Sequence, residues 1–239
     1  MIVLKDLTKV YGHLKAVDNV NLKIPDGEFT FIAGRSGSGK TTLLSMVAGL
    51  TQPTAGHVLI DNTDIWSLKD KELSALRNRR IGFMFQGGYI IPTLNVIDNV
   101  MLPTVFRDVD FDVYEKSRKM LEKVGLPAAA SRLPNELSGG ERRRISIARA
   151  LMNDPQVILA DEPTAELDVD TEEEIMRLLR EIHQMGGVTM LMVSHNYDLA
   201  SYATTRFTMN SGRLTEADIG KPPQKDSIET TSQEVKCGR

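Results

Sequence analysis

The chain has 239 residues, 41% hydrophobic and 26% charged, so it can bury a core and its composition excludes wholesale disorder. Its 29 basic and 32 acidic residues give a net charge of −3, which argues against a general nucleic-acid-binding protein. The single cysteine, Cys237, excludes an intramolecular disulfide and a cysteine-based zinc cluster, and it fits a reducing compartment.

The alternation of apolar runs and amphipathic segments predicts the secondary structure. Strands are predicted at 2–7, 19–24, 27–33, 56–61, 81–85, 157–160 and 188–193. Helices are predicted at 40–50, 69–80, 95–102, 112–124, 140–152 and 168–184. This order predicts an α/β fold with a largely parallel central sheet, and the β-rich start predicts an added antiparallel layer.

No part of the sequence has the pattern of a membrane segment. Residues 1–6 lack the charged start and long apolar stretch of a signal peptide, and no run of about 18 apolar residues occurs. We therefore expect a soluble intracellular protein. Residues 221–239 lack large apolar side chains and are predicted to form a mobile tail, in which Cys237 is inert.

A complete phosphate-binding loop pattern lies between a predicted strand and a predicted helix. Its residues are Gly34, Arg35, Ser36, Gly37, Ser38, Gly39, Lys40 and Thr41, with Thr42 following. The glycines allow backbone N–H groups to turn inward around phosphate oxygens, and the helix N-terminus adds partial positive charge. Lys40 is expected to reach the β- and γ-phosphates, and the Thr41 hydroxyl to hold Mg²⁺. A flexible Gly/Ser turn is the alternative interpretation.

Two carboxylates, Asp161 and Glu162, end the apolar run at 157–160. Ligands of open parallel sheets bind at such strand ends. Asp161 fits the role of holding Mg²⁺, directly or through water. If the strand continues, Glu162 projects to the opposite side and has another role, which we expect to be polarising the attacking water.

The segment Leu137-Ser138-Gly139-Gly140-Glu141, together with these two sites, resembles the signature of the ATP-binding cassette (ABC) ATPases. The resemblance covers residues 1–215. The family's other positions occur in order at Tyr11, Gln86, Ala165-Glu166-Leu167-Asp168 and His195. The resemblance implies a P-loop NTPase (RecA-like) core with an antiparallel β subdomain and an α-helical subdomain. We expect the ATPase domain at 1–219, its helical subdomain at about 87–155, and the tail at 220–239.

The resemblance also implies the role of each matching residue. Tyr11 stacks on adenine, and Thr41, Gln86 and Asp161 hold Mg²⁺. The catalytic residues are Glu162, His195, Gln86 and Lys40. Ser138, Gly139, Gly140 and Glu141 bind the γ-phosphate of ATP held by a second copy of the chain, because one chain carries one phosphate loop and one signature.

Within the family, the segments at 81–86, 91–94, 98–100, 135–142 and 159–164 resemble the lipoprotein-release and macrolide-export ATPases, with the cell-division ATPase nearby. This implies a Mg-dependent ATPase that powers export through a separate integral membrane permease, on the cytoplasmic face of the inner membrane. A mechanical regulator that moves no substrate remains an alternative. A soluble ABC protein of translation or DNA repair and a small-molecule P-loop kinase are further alternatives.

Three segments depart from the pattern of that branch. Gly87-Gly88 follows Gln86 where relatives usually carry an aromatic residue nearby, which affects the fit to the membrane partner. Ala165-Glu166 replaces the usual Gly-Asn and adds a negative charge near the dimer interface, which could slow closure. We interpret the basic run Arg142-Arg143-Arg144 as charge on a helix surface, with no role in nucleic-acid binding.

Overall fold

The computed structural model describes residues 1–217, which form two sheets and six α-helices. The strands are β1 (Ile2–Tyr11), β2 (Leu14–Ile24), β3 (Phe29–Ala33), β4 (Ala55–Ile60), β5 (Thr63–Asp64), β6 (Ile81–Met84), β7 (Val157–Asp161), β8 (Thr189–Ser194), β9 (Thr205–Asn210) and β10 (Arg213–Glu216). The helices are α1 (Lys40–Val47), α2 (Asp70–Arg80), α3 (Val96–Met101), α4 (Val113–Lys123), α5 (Gly139–Leu151) and α6 (Val169–Gly186). Short 3₁₀ turns occupy Ile65–Ser67, Leu102–Phe106, Pro134–Glu136 and Tyr197–Tyr202.

The central sheet has the order β10-β9-β3-β8-β7-β6, and its strands are parallel except for β10. Every residue of β3, β7 and β8 is buried, as expected for apolar runs covered on both faces. A second sheet, β2-β1-β4-β5, is antiparallel. The predicted α/β class with a parallel core and an antiparallel layer is therefore confirmed.

Two hydrophobic cores hold these layers together. One lies between one face of the central sheet and α3–α6. The other lies between the opposite face and the antiparallel sheet, with α1 enclosed between them. Leu43, Leu44 and Met46 of α1 are completely buried, so this helix is fixed in position by packing on both sides.

Several element bounds differ from the sequence prediction. The first hairpin is longer than expected, because β2 begins at Leu14 and pairs with β1 as far as Tyr11. Much of this hairpin is exposed and its pairing register shifts, so it lacks a regular apolar alternation. Strands β9 and β10 were not predicted, because mostly half-buried or exposed residues leave no apolar run.

The helices between β6 and β7 pack on one another: α3, α4 and α5 are in mutual contact, and α5 also contacts β6. Within residues 1–217, no helix combines the length and apolar character needed to cross a bilayer. The predicted tail at 220–239, including Cys237, lies outside the described residues.

Gly82 in β6 gives a test of the contact between the central sheet and α5. A Cβ at this position would lie 2.3 Å from the carbonyl oxygen of Ala150, so G82A must push the strand away from the helix. We expect a loss of about 1–3 kcal/mol in the free energy of unfolding, measured by urea titration. In the control G186A, the Cβ meets no atom within 4 Å and should not destabilise the protein. Equal unfolding midpoints for the two variants would contradict this packing.

Candidate active site

Several of the functional residues predicted from the sequence meet where the parallel strands end. Ala33 pairs with Ser194, Val193 pairs with Asp161, and Ala160 pairs with Met84. The register therefore brings the phosphate loop, His195, the two carboxylates and Gln86 to one edge of the sheet. This is the edge at which open parallel sheets bind ligands.

The phosphate loop wraps around the Lys40 side chain. The Lys40 ammonium group is buried and donates hydrogen bonds to the carbonyl oxygens of Gly34 at 2.7 Å and Arg35 at 3.2 Å. Within residues 1–217, the Ser38 hydroxyl is buried without a hydrogen-bond partner, which suits a loop that binds an oxyanion. Arg35 and Ser36 lie exposed at the loop's outer side.

Glycine is required in the loop at Gly39, whose φ is +105° and whose Cβ would lie 2.0 Å from the carbonyl oxygen of Ala16 in β2. The antiparallel sheet therefore supports the phosphate loop directly. Tyr11 lies at the end of β1 in the same sheet, half-exposed, with the Lys9 ammonium group 5.0 Å from its ring centre. The structure thus places Tyr11 on the layer that contacts the loop, and Thr42 in the first turn of α1.

Asp161 and Thr41 form one pair of oxygen ligands. The Thr41 hydroxyl donates to the Asp161 carboxylate at 3.1 Å. Burial raises the pKa of the Asp161 carboxyl above its usual value; the Thr41 hydrogen bond and the charge of Lys40 oppose this shift, and Glu162 adds to it. A buried carboxylate beside a hydroxyl is the type of oxygen donor set that Mg²⁺ binds.

Glu162 faces different partners from those of Asp161, because β7 ends at Asp161 and the backbone turns at Glu162 with φ +47°. One Glu162 oxygen lies 3.7 Å from the Lys40 ammonium group. The other accepts a hydrogen bond from Nδ1 of His195, whose side chain is 60% exposed. Glu162 is therefore a buried carboxylate with one cation and one exposed imidazole beside it.

Glu172 was missed by the sequence reasoning, because it looked like one of several acids on the first turns of a surface helix. Its carboxylate accepts hydrogen bonds from the Thr164 hydroxyl at 2.7 Å and from the Asn196 side-chain amide at 2.9 Å. It therefore joins the segment after Glu162 to the segment after His195. A cavity of about 600 Å³ is lined by all five of these residues: Glu162, Thr164, Glu172, His195 and Asn196.

The signature segment begins α5 and lies outside this cluster. Ser138 caps the helix by accepting from the Glu141 N–H, and the Glu141 carboxylate accepts from the Ser138 N–H. That backbone hydrogen bond, followed by the ion pair with Arg132, lowers the pKa of Glu141. Glu141 thus uses its carboxylate within the cap, whereas Ser138 remains exposed and Gly139 and Gly140 half-exposed at the helix N-terminus. Gln86 is exposed just beyond β6.

The interpretation of Arg142-Arg143-Arg144 as helix-surface charge is wrong for Arg143. Arg142 is exposed, but Arg143 is only 5% exposed and turns inward. Its guanidinium donates to the carbonyl oxygen of Ala165 at 2.9 Å and to that of Phe85 at 3.5 Å. Successive helix residues are about 100° apart around the axis, so three adjacent arginines cannot share one face.

Comparisons with known proteins identify the family of the chain. Residues 17–165 match the family model described as "ABC transporter". The chain is 42% identical over 223 residues to the macrolide export ATP-binding/permease protein MacB of Rhodopirellula baltica, covering 90% of this chain but only 33% of that protein. It is 41% identical over 215 residues to the lipoprotein-releasing system ATP-binding protein LolD of Bacteroides thetaiotaomicron, covering 90% of this chain and 99% of the relative.

The fold also matches solved structures. A dimer of the ATP-binding cassette MJ0796, in a post-hydrolysis state with ADP and Pi, aligns with a TM-score of 0.82 at 39% identity. The alignment covers 90% of this chain and 98% of that one. CbiO1 from Clostridium perfringens, part of the transporter complex cbiONQ, aligns with a TM-score of 0.81 at 30% identity, covering 90% of this chain and 86% of that one.

Glu172 gives a test of how the catalytic edge is held in place. In E172A, Thr164 and Asn196 lose their shared partner, so the segments carrying Glu162 and His195 lose alignment. We expect kcat for ATP hydrolysis to fall about tenfold, with nucleotide affinity unchanged because Glu172 does not contact the phosphate loop. The control is E173A on the same helix, because the Glu173 carboxylate forms an exposed ion pair with Arg177. Equal turnover by E172A and E173A would refute this role.

Proposed function

The chain belongs to the ABC transporter family, in which it is an ATP-binding and ATP-hydrolysing subunit. From this membership we propose that two copies of the chain bind ATP at their shared interface and power a separate membrane permease. The observation that carries the proposal is the convergence of Lys40, Asp161, Glu162 and His195 at one edge of the sheet. None of these residues is diagnostic alone. Together they supply a cation that binds phosphate (Lys40), a metal ligand (Asp161), a general base (Glu162) and a side chain that orients the base (His195).

We assign Mg²⁺ to Thr41 and Asp161, with Gln86 at the end of the neighbouring strand. The fit rests on the 3.1 Å contact between the Thr41 hydroxyl and the buried Asp161 carboxylate. When bound, Mg²⁺ neutralises charge on the phosphate oxygens. Among residues 1–217, Asp161 forms no ion pair within 4 Å and is influenced by the Lys40 charge only from a longer distance, so its burial favours binding of a cation at this position.

The remaining steps follow from side-chain positions. Lys40 exchanges its carbonyl partners in the loop for phosphate oxygens, which supply the negative charge that the carbonyls only partly provide. Glu162 accepts a proton from the attacking water. His195 donates from Nδ1 to the other Glu162 oxygen, which holds the carboxylate in orientation, and its exposed ring can reach the γ-phosphate.

A second copy of the chain completes the site. At the start of the signature helix α5, Ser138 is exposed and Gly139 and Gly140 are half-exposed. A helix N-terminus stabilises anions through its unpaired N–H groups and its dipole. We therefore assign these residues to the γ-phosphate held by the partner, and Tyr11 to the adenine bound by its own chain.

The permease is assigned to an apolar groove of about 770 Å³ on the side of the central sheet next to β6. It lies between α2, β6 and the 3₁₀ turn Leu102–Phe106. Phe106, at 79% exposed, and Phe85 stand at this groove. We propose that this contact holds the chain on the cytoplasmic face of the membrane. We also propose that residues 87–155 form the helical subdomain that faces the permease.

Export is favoured by the named relatives, which act in lipoprotein release and macrolide export. Control of an extracytoplasmic process without transport uses the same ATP cycle, so it is the second candidate. Co-purification with membranes separates both from a soluble ABC protein, which would instead accompany ribosomes or DNA. Transport by the reconstituted permease complex then separates export from mechanical control.

The variant E162Q tests catalysis and dimerisation together. The amide keeps the size of the carboxylate but cannot accept the proton, so turnover should fall at least about 100-fold. ATP should then hold two chains together, detected as a dimer by analytical ultracentrifugation. In the control K40A/E162Q, ATP binding is weakened and the chain should remain a monomer. Normal hydrolysis by E162Q would contradict the assignment of Glu162.

The variant F106D tests the permease-facing groove. A charge in the exposed aromatic side of the groove should reduce the membrane-bound fraction of the chain in its own cells about tenfold, without changing intrinsic ATPase activity. The control M185D alters a side chain of similar exposure at the end of α6, remote in sequence from the groove. Membrane binding by F106D equal to that of M185D would place the permease elsewhere.

A further inference from the structure

Helix α5 carries a buried arginine, Arg143, between the loop that follows β6 and the loop that follows β7. Arg143 lies five residues after the Ser138 cap, and its guanidinium donates to the carbonyl oxygens of Phe85 and Ala165. Phe85 immediately precedes Gln86, and Ala165 begins the segment Ala165–Asp168. Because a guanidinium stays charged, its burial must be offset by contacts of this kind.

The segment 165–168 is also seated on the first turn of α5. A Cβ on Gly139 would lie 3.3 Å from Cδ2 of Leu167, and one on Gly140 would lie 2.7 Å from Cγ2 of Thr171. The start of the signature helix and the segment after Glu162 are therefore in direct contact. A shift of either one must move the other or break this packing.

The opposite end of α5 holds the segment after Gln86. Arg149 donates to the carbonyl oxygens of Tyr89 at 2.8 Å and Gly88 at 3.0 Å. Gly87 and Gly88 both have positive φ, +80° and +78°, which orients this part of the chain toward the helix. The Gly87-Gly88 departure therefore has a local structural reason. Hydrogen bonds from Arg143 and Arg149 therefore hold residues 85–89 against α5.

Glu166 supplies a negative charge to the same site. Burial lowers the pKa of Arg143, and the charge of Glu166 is the effect that opposes this shift, while Arg142 adds to it. Within residues 1–217, Glu166 and Arg143 form no ion pair within 4 Å, so Glu166 acts on Arg143 only through its charge at a longer distance. The extra acid after Ala165 is partly balanced by the arginine that reaches Ala165.

We propose that Arg143 is a positioning residue that couples residues 85–89 on the permease side to residues 165–168 on the dimer side. A planar guanidinium can donate to two carbonyl groups in fixed directions, which an ammonium group cannot reproduce. Movement of residues 85–89 is thereby transmitted to the segment beside the signature helix. This inference rests on the proposed ATP-bound dimer.

The experiment compares ATP-dependent dimerisation of R143Q and R143K, each in the E162Q background, with that of E162Q alone. Both variants should need about tenfold more ATP for half-maximal dimerisation, measured by analytical ultracentrifugation. The Kd of the monomer for a fluorescent ATP analogue should stay within about twofold of the value for E162Q alone, because Arg143 does not contact the phosphate loop. R143K keeps the positive charge near Glu166 but loses the hydrogen bonds to both carbonyl groups. Weaker dimerisation of R143K is therefore caused by the loss of these hydrogen bonds and not by the loss of charge.

The matched control is R144Q in the same background. Arg144 lies next along α5 but donates to the Val124 carbonyl and to Glu174, so its loss affects stability without touching either loop. Dimerisation of R144Q at the ATP concentration of the parent supports the proposal. Normal dimerisation by R143Q or by R143K would overturn the coupling alone. Failure of the E162Q parent to dimerise would overturn both the proposed function and this inference.

Discussion

The pairing of β3, β8, β7 and β6 is the constraint on which the catalytic edge depends. The backbone ladder fixes which residues stand side by side at the strand ends, so Lys40, Asp161 and His195 meet although they are distant in sequence. Covering both faces of the sheet makes this register costly to change. The strained backbone at Glu162 persists because its carboxylate is held from two sides, by Lys40 and His195.

Buried charge is the second feature that organises this chain. Lys40, Asp161, Glu162 and Arg143 are all less than a tenth exposed. Lys40 and Glu162 face each other, Arg143 donates to two carbonyl oxygens, and Asp161 accepts from the Thr41 hydroxyl. Replacing such groups by well-packed apolar residues often costs little stability, so their retention is better explained by function than by folding. In this chain the first three lie together at the proposed phosphate site, and Arg143 bridges the carbonyl groups of Phe85 and Ala165.

The sequence predicted the features that depend on local spacing. The phosphate loop, the buried strand before Asp161 and the capped start of α5 each follow from a short run of residues, and the structure contains all three elements. Arg143 and Glu172 were not predicted, because each is defined by partners that lie far away in the chain. A row of arginines or glutamates has the same pattern whether one member turns inward or all stay in solvent.

The two departures from the family pattern, Gly87-Gly88 and Glu166, are interpreted differently once their positions in the structure are known. In the sequence, Gly87-Gly88 and Glu166 are separate and each suggests a weaker contact with a partner. In the structure, both border Arg143: Gly88 has its Cβ position 3.7 Å from the guanidinium, and Glu166 contributes the opposing charge. A larger residue at position 88 would need positive φ beside an arginine, and a neutral residue at 166 would leave that arginine less compensated. The two departures are therefore better understood as parts of one arrangement, in which backbone room, a buried cation and a nearby acid depend on each other.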